Sequence, residues 1–449
     1  MVRNGPMASP EFPLNRRELM AGLGAAALTP MWPVASRAQG NLQGNPQGRP
    51  SPALQAKPDS LALRPGSAAT SVWSLQGPEL RFKRGDTIAV DFGNELPVPA
   101  VLSWRGIDGA SAAEPLTGRP PLAPGGKDAV QLPLRHAGTF LCESGLLGDG
   151  QEPSRPRPLI VRETEPVAVD RDEVLLIEDW RVRPDGTAMA PGAAPGDVVP
   201  IHTINGQTSL DLSARANERV RLRIISGCQR SVIAIKLEGL EVRVMAIDGQ
   251  PSEPFQARNG ALVLAPGGRV DAFIDLTAPA GTVSPILLHD GKEARPIGKF
   301  TVSSEAPIRP APLPPPPPLP SNGLPERLDL KNATRVDLAL GGPSGDWVPP
   351  AKFMAAAPPA FRAKAGRIVV LALTNRAAIA TVFHLHGHHF RLLDRLDDGW
   401  KPFWLDTLAI EPGQTQRIAF LAEYAGRYLI EAVATDWAAP RLVRWYAVE

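Results

Sequence analysis

Four of the seven histidines fall together, at His384, His386, His388 and His389. On an extended strand, side chains two residues apart share a face. His384, His386 and His388 would then line one side and His389 the other. Imidazoles at that spacing suit a transition metal, because neighbouring rings can grip one ion or two adjacent ions. The competing reading is a set of core histidines held by hydrogen bonds. His136, His202 and His289 stand alone and read as surface or capping residues. Cys142 and Cys228 are too few for a disulfide framework and fit an oxidising compartment. A bridge between them is one reading, and two buried free thiols the preferred one. No cysteine follows Cys228 and no histidine follows His389.

The elements that must position these residues have a period of two. Arg219-Val220-Arg221-Leu222-Arg223-Ile224 alternates strictly, as does Glu241-Val242-Arg243-Val244, and both read as half-buried strands. Turn signals lie between such runs at Asp248-Gly249, Pro266-Gly267-Gly268 and Pro412-Gly413. Fifty prolines and 41 glycines in 449 residues suit many short strands joined by turns. Short strands in series imply β-sandwiches, and this length implies about two to four domains. The net charge of +2 excludes bulk attraction to nucleic acid. No apolar run of about 20 residues is present, so no transmembrane helix is expected.

At the N-terminus, Arg16-Arg17 precedes the weakly apolar run Ala21–Leu28, and Ser36-Arg37-Ala38 offers a cleavage site. Residues 1–38 therefore read as a Tat-type signal peptide, and export to the periplasm is expected. Residues 39–70, rich in Gly, Pro, Gln and Ser, read as a flexible tail. Domains are expected over 71–163, 164–305 and 324–449. The proline-rich stretch 306–323 reads as a semi-rigid polyproline spacer between the last two.

Several segments then occur in a telling order. The first block carries Gly85-Asp86-Thr87, Ser103-Trp104-Arg105-Gly106 and Ala137-Gly138-Thr139-Phe140. The second carries Ile247-Asp248-Gly249-Gln250-Pro251 and Pro266-Gly267-Gly268-Arg269-Val270-Asp271. The third carries Phe383-His384-Leu385-His386-Gly387-His388-His389-Phe390, Asp406-Thr407 and Ala425-Gly426-Arg427-Tyr428. In these segments the chain resembles the multicopper oxidase family. The resemblance implies an all-β fold of three consecutive cupredoxin-like Greek-key β-sandwich domains.

Family members use a trinuclear copper cluster on four His-x-His pairs, and a blue copper on a cysteine, two histidines and usually a methionine. Carried over by position, the first pair falls on Ser103 and Arg105 and the second on Glu143 and Gly145. The third falls on His384 and His386, both kept, and the fourth on Glu431 and Val433. The blue-copper positions are Thr381, Ala432, Trp437 and Leu442, and none is a usual copper ligand. The expected cofactor content is therefore none or a single copper ion. A guanidinium at Arg105 opposes a cation in the same pocket. Arg105 is expected to pair with Glu143, Glu431 or both. Any residual metal would sit on His384, His386 and His388 with one of those carboxylates.

Two functions follow from the resemblance. The chain is similar in export route, size and missing ligands to the copper-less SufI/FtsP type of cell-division protein. That similarity implies a periplasmic scaffold whose partners are periplasmic or division-related proteins. The alternative is a copper-dependent oxidoreductase with one residual mononuclear site at His384 and His386. The chain has no methionine-rich segment, which argues against a cuprous oxidase of the copper-tolerance type.

Overall fold

In the computed structural model, residues 51–341, 346–394 and 399–449 are described. The expected signal peptide and the first part of the expected tail lie outside them. The described residues form strands joined by turns, with three single-turn 3₁₀ helices. The first sandwich pairs a five-stranded sheet with a four-stranded one, the second a six-stranded with a five-stranded, and the third a four-stranded with a five-stranded. Each sandwich closes on its own apolar core. Phe92, Leu132 and Phe140 lie in the first, Leu222, Ile235 and Phe300 in the second, and Leu371, Phe383 and Phe420 in the third.

Two sheet registers set up the site. In the first sandwich, Ser103–Arg105 runs antiparallel to Gly138–Glu143, with Ser103 opposite Glu143. In the third, Thr381–Leu385 lies between Thr407–Ile410 and Gly426–Ala434, with His384 opposite both Thr407 and Glu431. Cross-strand neighbours of this kind are near enough to interact directly.

Three sequence expectations change. Residues 53–61, assigned to the tail, form a strand paired with Thr70–Gln76 and Thr87–Asn94. Leu54, Ala56 and Leu61 are buried, so three apolar side chains offset the polar composition around them. Arg219–Ser226 is buried on both faces rather than one. Val220, Leu222 and Ile224 enter the second core, while Arg219, Arg221 and Arg223 pair with Asp275, Asp271 and Asp172. Arg223 also donates to Thr139 of the first sandwich, so the charged face meets another domain instead of water. The proline-rich stretch is a packed strap. Its Leu313 and Pro314 carbonyls accept from Arg219, Leu319 is buried, and Asn322 bonds both backbone groups of Ala137.

Candidate metal centre

The sheets bring Arg105, Glu143 and Glu431 into one buried cluster. Arg105 Nη2 donates to Glu143 Oε1 at 3.2 Å and to Glu431 Oε2 at 3.1 Å. Arg441, which the sequence reading did not include, donates to Glu143 at 3.1 Å and approaches Glu431 at 3.5 Å. Burial pushes both carboxyls up, but the two guanidiniums outweigh it and hold Glu143 and Glu431 below the usual carboxylate range. Gly267 lies over the Arg105 stem. A Cβ there would come within 2.9 Å of Arg105 Cδ, so glycine makes the room that the guanidinium uses.

His384 and His386 reach the same cluster. Burial, then Arg105, lower His384 to about 4, so its ring is neutral at pH 7. Its Nδ1 lies 3.0 Å from Thr407 Oγ1 and 3.1 Å from the Asp406 carbonyl. The carbonyl only accepts, so the proton sits on Nδ1 and Nε2 carries the lone pair. That buried Nε2 has no hydrogen-bond partner. His386 is different. Its Nε2 is 2.7 Å from Glu431 Oε1, and its Nδ1 makes a 2.8 Å ion-pair approach to Glu114. Burial pulls it down, but Glu114 and Glu431 outweigh that and hold it at about 9. Donor atoms of His384, His386 and Glu431 all lie within 4.8 Å of one another. Beside them is a cavity of about 20 Å³ lined by Arg105, Glu143, Ser226, Cys228, His384 and Arg441.

His388 does not share this face, against the strand-based expectation. The strand ends at Leu385, and Gly387 takes φ +72°. The turn sends His388 into an aromatic nest of Phe420, Tyr424, Tyr428 and Tyr446. Its Nδ1 is 2.7 Å from Tyr446 Oη, and its Nε2 accepts from the Tyr424 amide, so neither nitrogen is free for a metal. A Cβ on Gly387 would fall 2.2 Å from the Tyr428 ring. Gly387→Ala is expected to cost about 3 kcal/mol, from the left-handed backbone and the overlap together. Urea unfolding of the two chains checks this.

The isolated histidines also divide. His289 Nδ1 accepts from the Gly291 amide, as a capping residue does. His136 and His202 are buried rather than on the surface, and His136 lies close to Asp108 and His389. Cys142 and Cys228 are free, buried thiols.

The residues at the four expected blue-copper positions are held in other contacts. Thr381 Oγ1 bonds Asn375, Ala432 is in the third core, and Leu442 packs against it. Trp437 Nε1 donates to the Ala190 carbonyl, with Arg181 stacked 4.8 Å above its ring. Ser103 and Val433 are buried, and Gly145 bridges to Val101.

Three family patterns described as multicopper oxidase match residues 65–151, 171–282 and 327–449. The chain belongs to the multicopper oxidase family. Multicopper oxidase MmcO of Mycobacterium tuberculosis is 24% identical over 409 residues, covering 80% of this chain and 78% of its own. Copper resistance protein A of Pseudomonas syringae pv. tomato is 24% identical over 57% of this chain and 51% of its own. The crystal structure of a multi-copper oxidase from Pseudomonas thermotolerans superposes with a TM-score of 0.76 at 26% identity. It covers 88% of this chain and 98% of that one. Lac15 from a marine microbial metagenome gives 0.73 at 26%, over 89% and 100%. This multicopper oxidase family member therefore has the family's three-sandwich, cupredoxin-like body.

Sequence reasoning missed Arg441 and Glu114. Arg441 was one residue from Leu442, and a basic residue beside an expected ligand position was the available signal. Nothing local marked Glu114, which reaches His386 from another domain.

Proposed function

We propose that this family member is an exported, copper-dependent oxidoreductase that uses one copper ion, held by His384, His386 and Glu431. The observation carrying the reading is the buried, unpartnered lone pair of His384 Nε2, on a residue with a ring nitrogen within 4.8 Å of donor atoms of His386 and Glu431. The opposite nitrogen, Nδ1, is tied to the Asp406 carbonyl and Thr407, the outer-shell support that metal-bound imidazoles use. Two imidazoles and one carboxylate accept several transition metals. The relatives, named as a multicopper oxidase and a copper resistance protein, favour copper.

Copper bound there supplies one-electron chemistry. The chain's own groups do the positioning. Asp406 and Thr407 fix the His384 ring, and Glu114 holds His386 against Glu431. The adjoining cavity of about 20 Å³ has room for one water-sized ligand. The residues present do not fit the family's four-copper set. Position 432 is alanine, so no thiolate can hold a blue copper. Arg105 and Arg441 take the volume and charge that further copper ions need.

Export to the periplasm through Arg16-Arg17 fits this reading. No helix among the described residues is long and apolar enough to cross a membrane.

A metal-free scaffold is the second reading, with periplasmic or cell-division partners. One observation favours it: His386 at about 9 carries a proton between Glu114 and Glu431, which neutralises the cluster without a metal. The relatives favour the oxidoreductase. The test is to load stripped protein with copper, remove the excess, and measure copper per chain and turnover of an aromatic reductant under air. One copper per chain is expected, with copper and turnover both lost in His384→Ala. A chain that retains no copper and turns nothing over leaves the scaffold reading standing.

A further inference from the structure

A second set of metal-ligating atoms lies apart from the His384 cluster. His389 Nδ1 is 2.9 Å from both carboxylate oxygens of Asp108, and His136 Nδ1 is 3.5 Å from Asp108 Oδ2. The ligating atoms of the three residues lie within 4.8 Å of one another, and all three residues are buried. Ligands on a four-coordinate zinc ion, with bonds of about 2.0–2.2 Å, stand roughly 3.4 Å apart. The Asp108–His136 and Asp108–His389 separations bracket that value, and the His136–His389 pair, within 4.8 Å, closes by up to about 1.4 Å to reach it.

The surroundings have the support that such a site requires. His389 Nε2 is 2.9 Å from the Asp248 carbonyl, which fixes its ring and leaves Nδ1 facing Asp108. The Gln250 side-chain amide sits where the ligands converge, 2.9 Å from His136 Nδ1 and 3.4 Å from His389 Nδ1. Asn322 holds that amide by its oxygen at 3.0 Å. Beside Asp108 and His389 is a cavity of about 10 Å³, bordered by Trp404 and Tyr424, close to the size of one water. The residues come from separate parts of the chain. Asp108 and His136 belong to the first sandwich, Gln250 to the second, His389 to the third and Asn322 to the strap.

We infer that Asp108, His136 and His389 form a structural divalent-cation site at the junction of the three sandwiches, with the Gln250 amide giving way to the ion. Two imidazoles and one carboxylate, buried and supported from outside, match zinc and ions of the same coordination habit. The ion would tie the first sandwich to the third through side chains, beside the backbone bond from the Gly109 amide to the Gly387 carbonyl. The inference does not depend on copper at His384.

The test uses the full chain carrying His384→Ala, which removes the first site. The protein is stripped with a chelator, equilibrated with Zn²⁺ alone and freed of excess. One zinc per chain is expected, with a rise of several degrees in Tm. Adding Asp108→Asn or His136→Gln should weaken zinc binding at least tenfold and remove the Tm shift. Cobalt in place of zinc should give the visible absorption of a four-coordinate ion, lost in His136→Gln. His136→Gln keeps a polar side chain beside Gln250, so it decides the matter should Asp108→Asn fail to fold. A His384→Ala chain that holds no zinc, or a His136→Gln variant that holds it equally well, overturns the site.

Discussion

Arg105→Met is expected to destabilise the metal-free chain by about 3–5 kcal/mol. The side chain is 7% exposed, and it touches Glu143 and the fully buried Glu431. Methionine fills similar volume, so the loss is electrostatic rather than a cavity. Glu143 would then keep Arg441 alone, and Glu431 would keep His386 at 2.7 Å and the more distant Arg441 at 3.5 Å. An unpaired buried charge loses its hydration without recovering it from a partner, which makes breaking such a pair costlier than never having it. The double variant Arg105→Met/Glu143→Leu should therefore recover much of the loss, because charge leaves from both sides together. Urea midpoints of the parent, the two single variants and the double variant close the cycle, with the slope expected to stay constant. A cost below about 1 kcal/mol, typical of solvent-exposed pairs, would mean that water reaches the cluster.

The ion-pair cluster shows which parts of the site were legible in the sequence. Ser103, Arg105, Glu143 and Glu431 could be read because each occupies one position in a recurrent segment. Strand register then puts Ser103 against Glu143 and His384 against Glu431. Arg441 and Glu114 lie outside those segments: Arg441 pairs with Val433 in the sheet that carries Glu431, and the packing of first and third sandwiches brings it to Glu143 and brings Glu114 to His386. His388 was misplaced because period two holds only while the strand lasts, and Gly387 ends it with a left-handed backbone that no composition rule marks. The alternation in Arg219–Ser226 was read correctly as a strand. Its burial was not, because a charged face looks solvent-bound until Asp172, Asp271 and Asp275 are found opposite it. His136 looked isolated for the same reason: its neighbours Asp108, Gln250 and His389 are distant in the chain.

Stability of the metal-free chain should peak near pH 6.5 and fall on both sides. His386 and His389 are held at about 9 against an ordinary 6.5, burial being outweighed by Glu114 and Glu431 for the first and by Asp108 for the second. A raised folded value means the native state binds the proton more tightly than the unfolded chain. Their contribution is complete below pH 6.5 and is lost as pH rises through about 9. His136, His384 and His388 are pushed the other way, to about 4, chiefly by burial. The unfolded chain takes up those protons first, so stability falls as pH drops from 6.5 toward 4. Asp248 works against this acid limb. Burial and Asp406 raise it to about 6, so its contribution grows as pH falls below that value. Each displaced histidine is worth up to about 3 kcal/mol, the equivalent of roughly 2.5 pH units. Burial lowers His202 as well and raises Glu178 as well, so four histidines stand against two carboxyls and leave a net loss on the acid side. Urea midpoints at pH 5, 6.5 and 9 should therefore be highest in the middle. His389→Gln should remove about half of the decline between pH 6.5 and 9. Equal stability at pH 6.5 and 9 in the parent chain would show that neither imidazolium is bound by its carboxylates as the geometry requires.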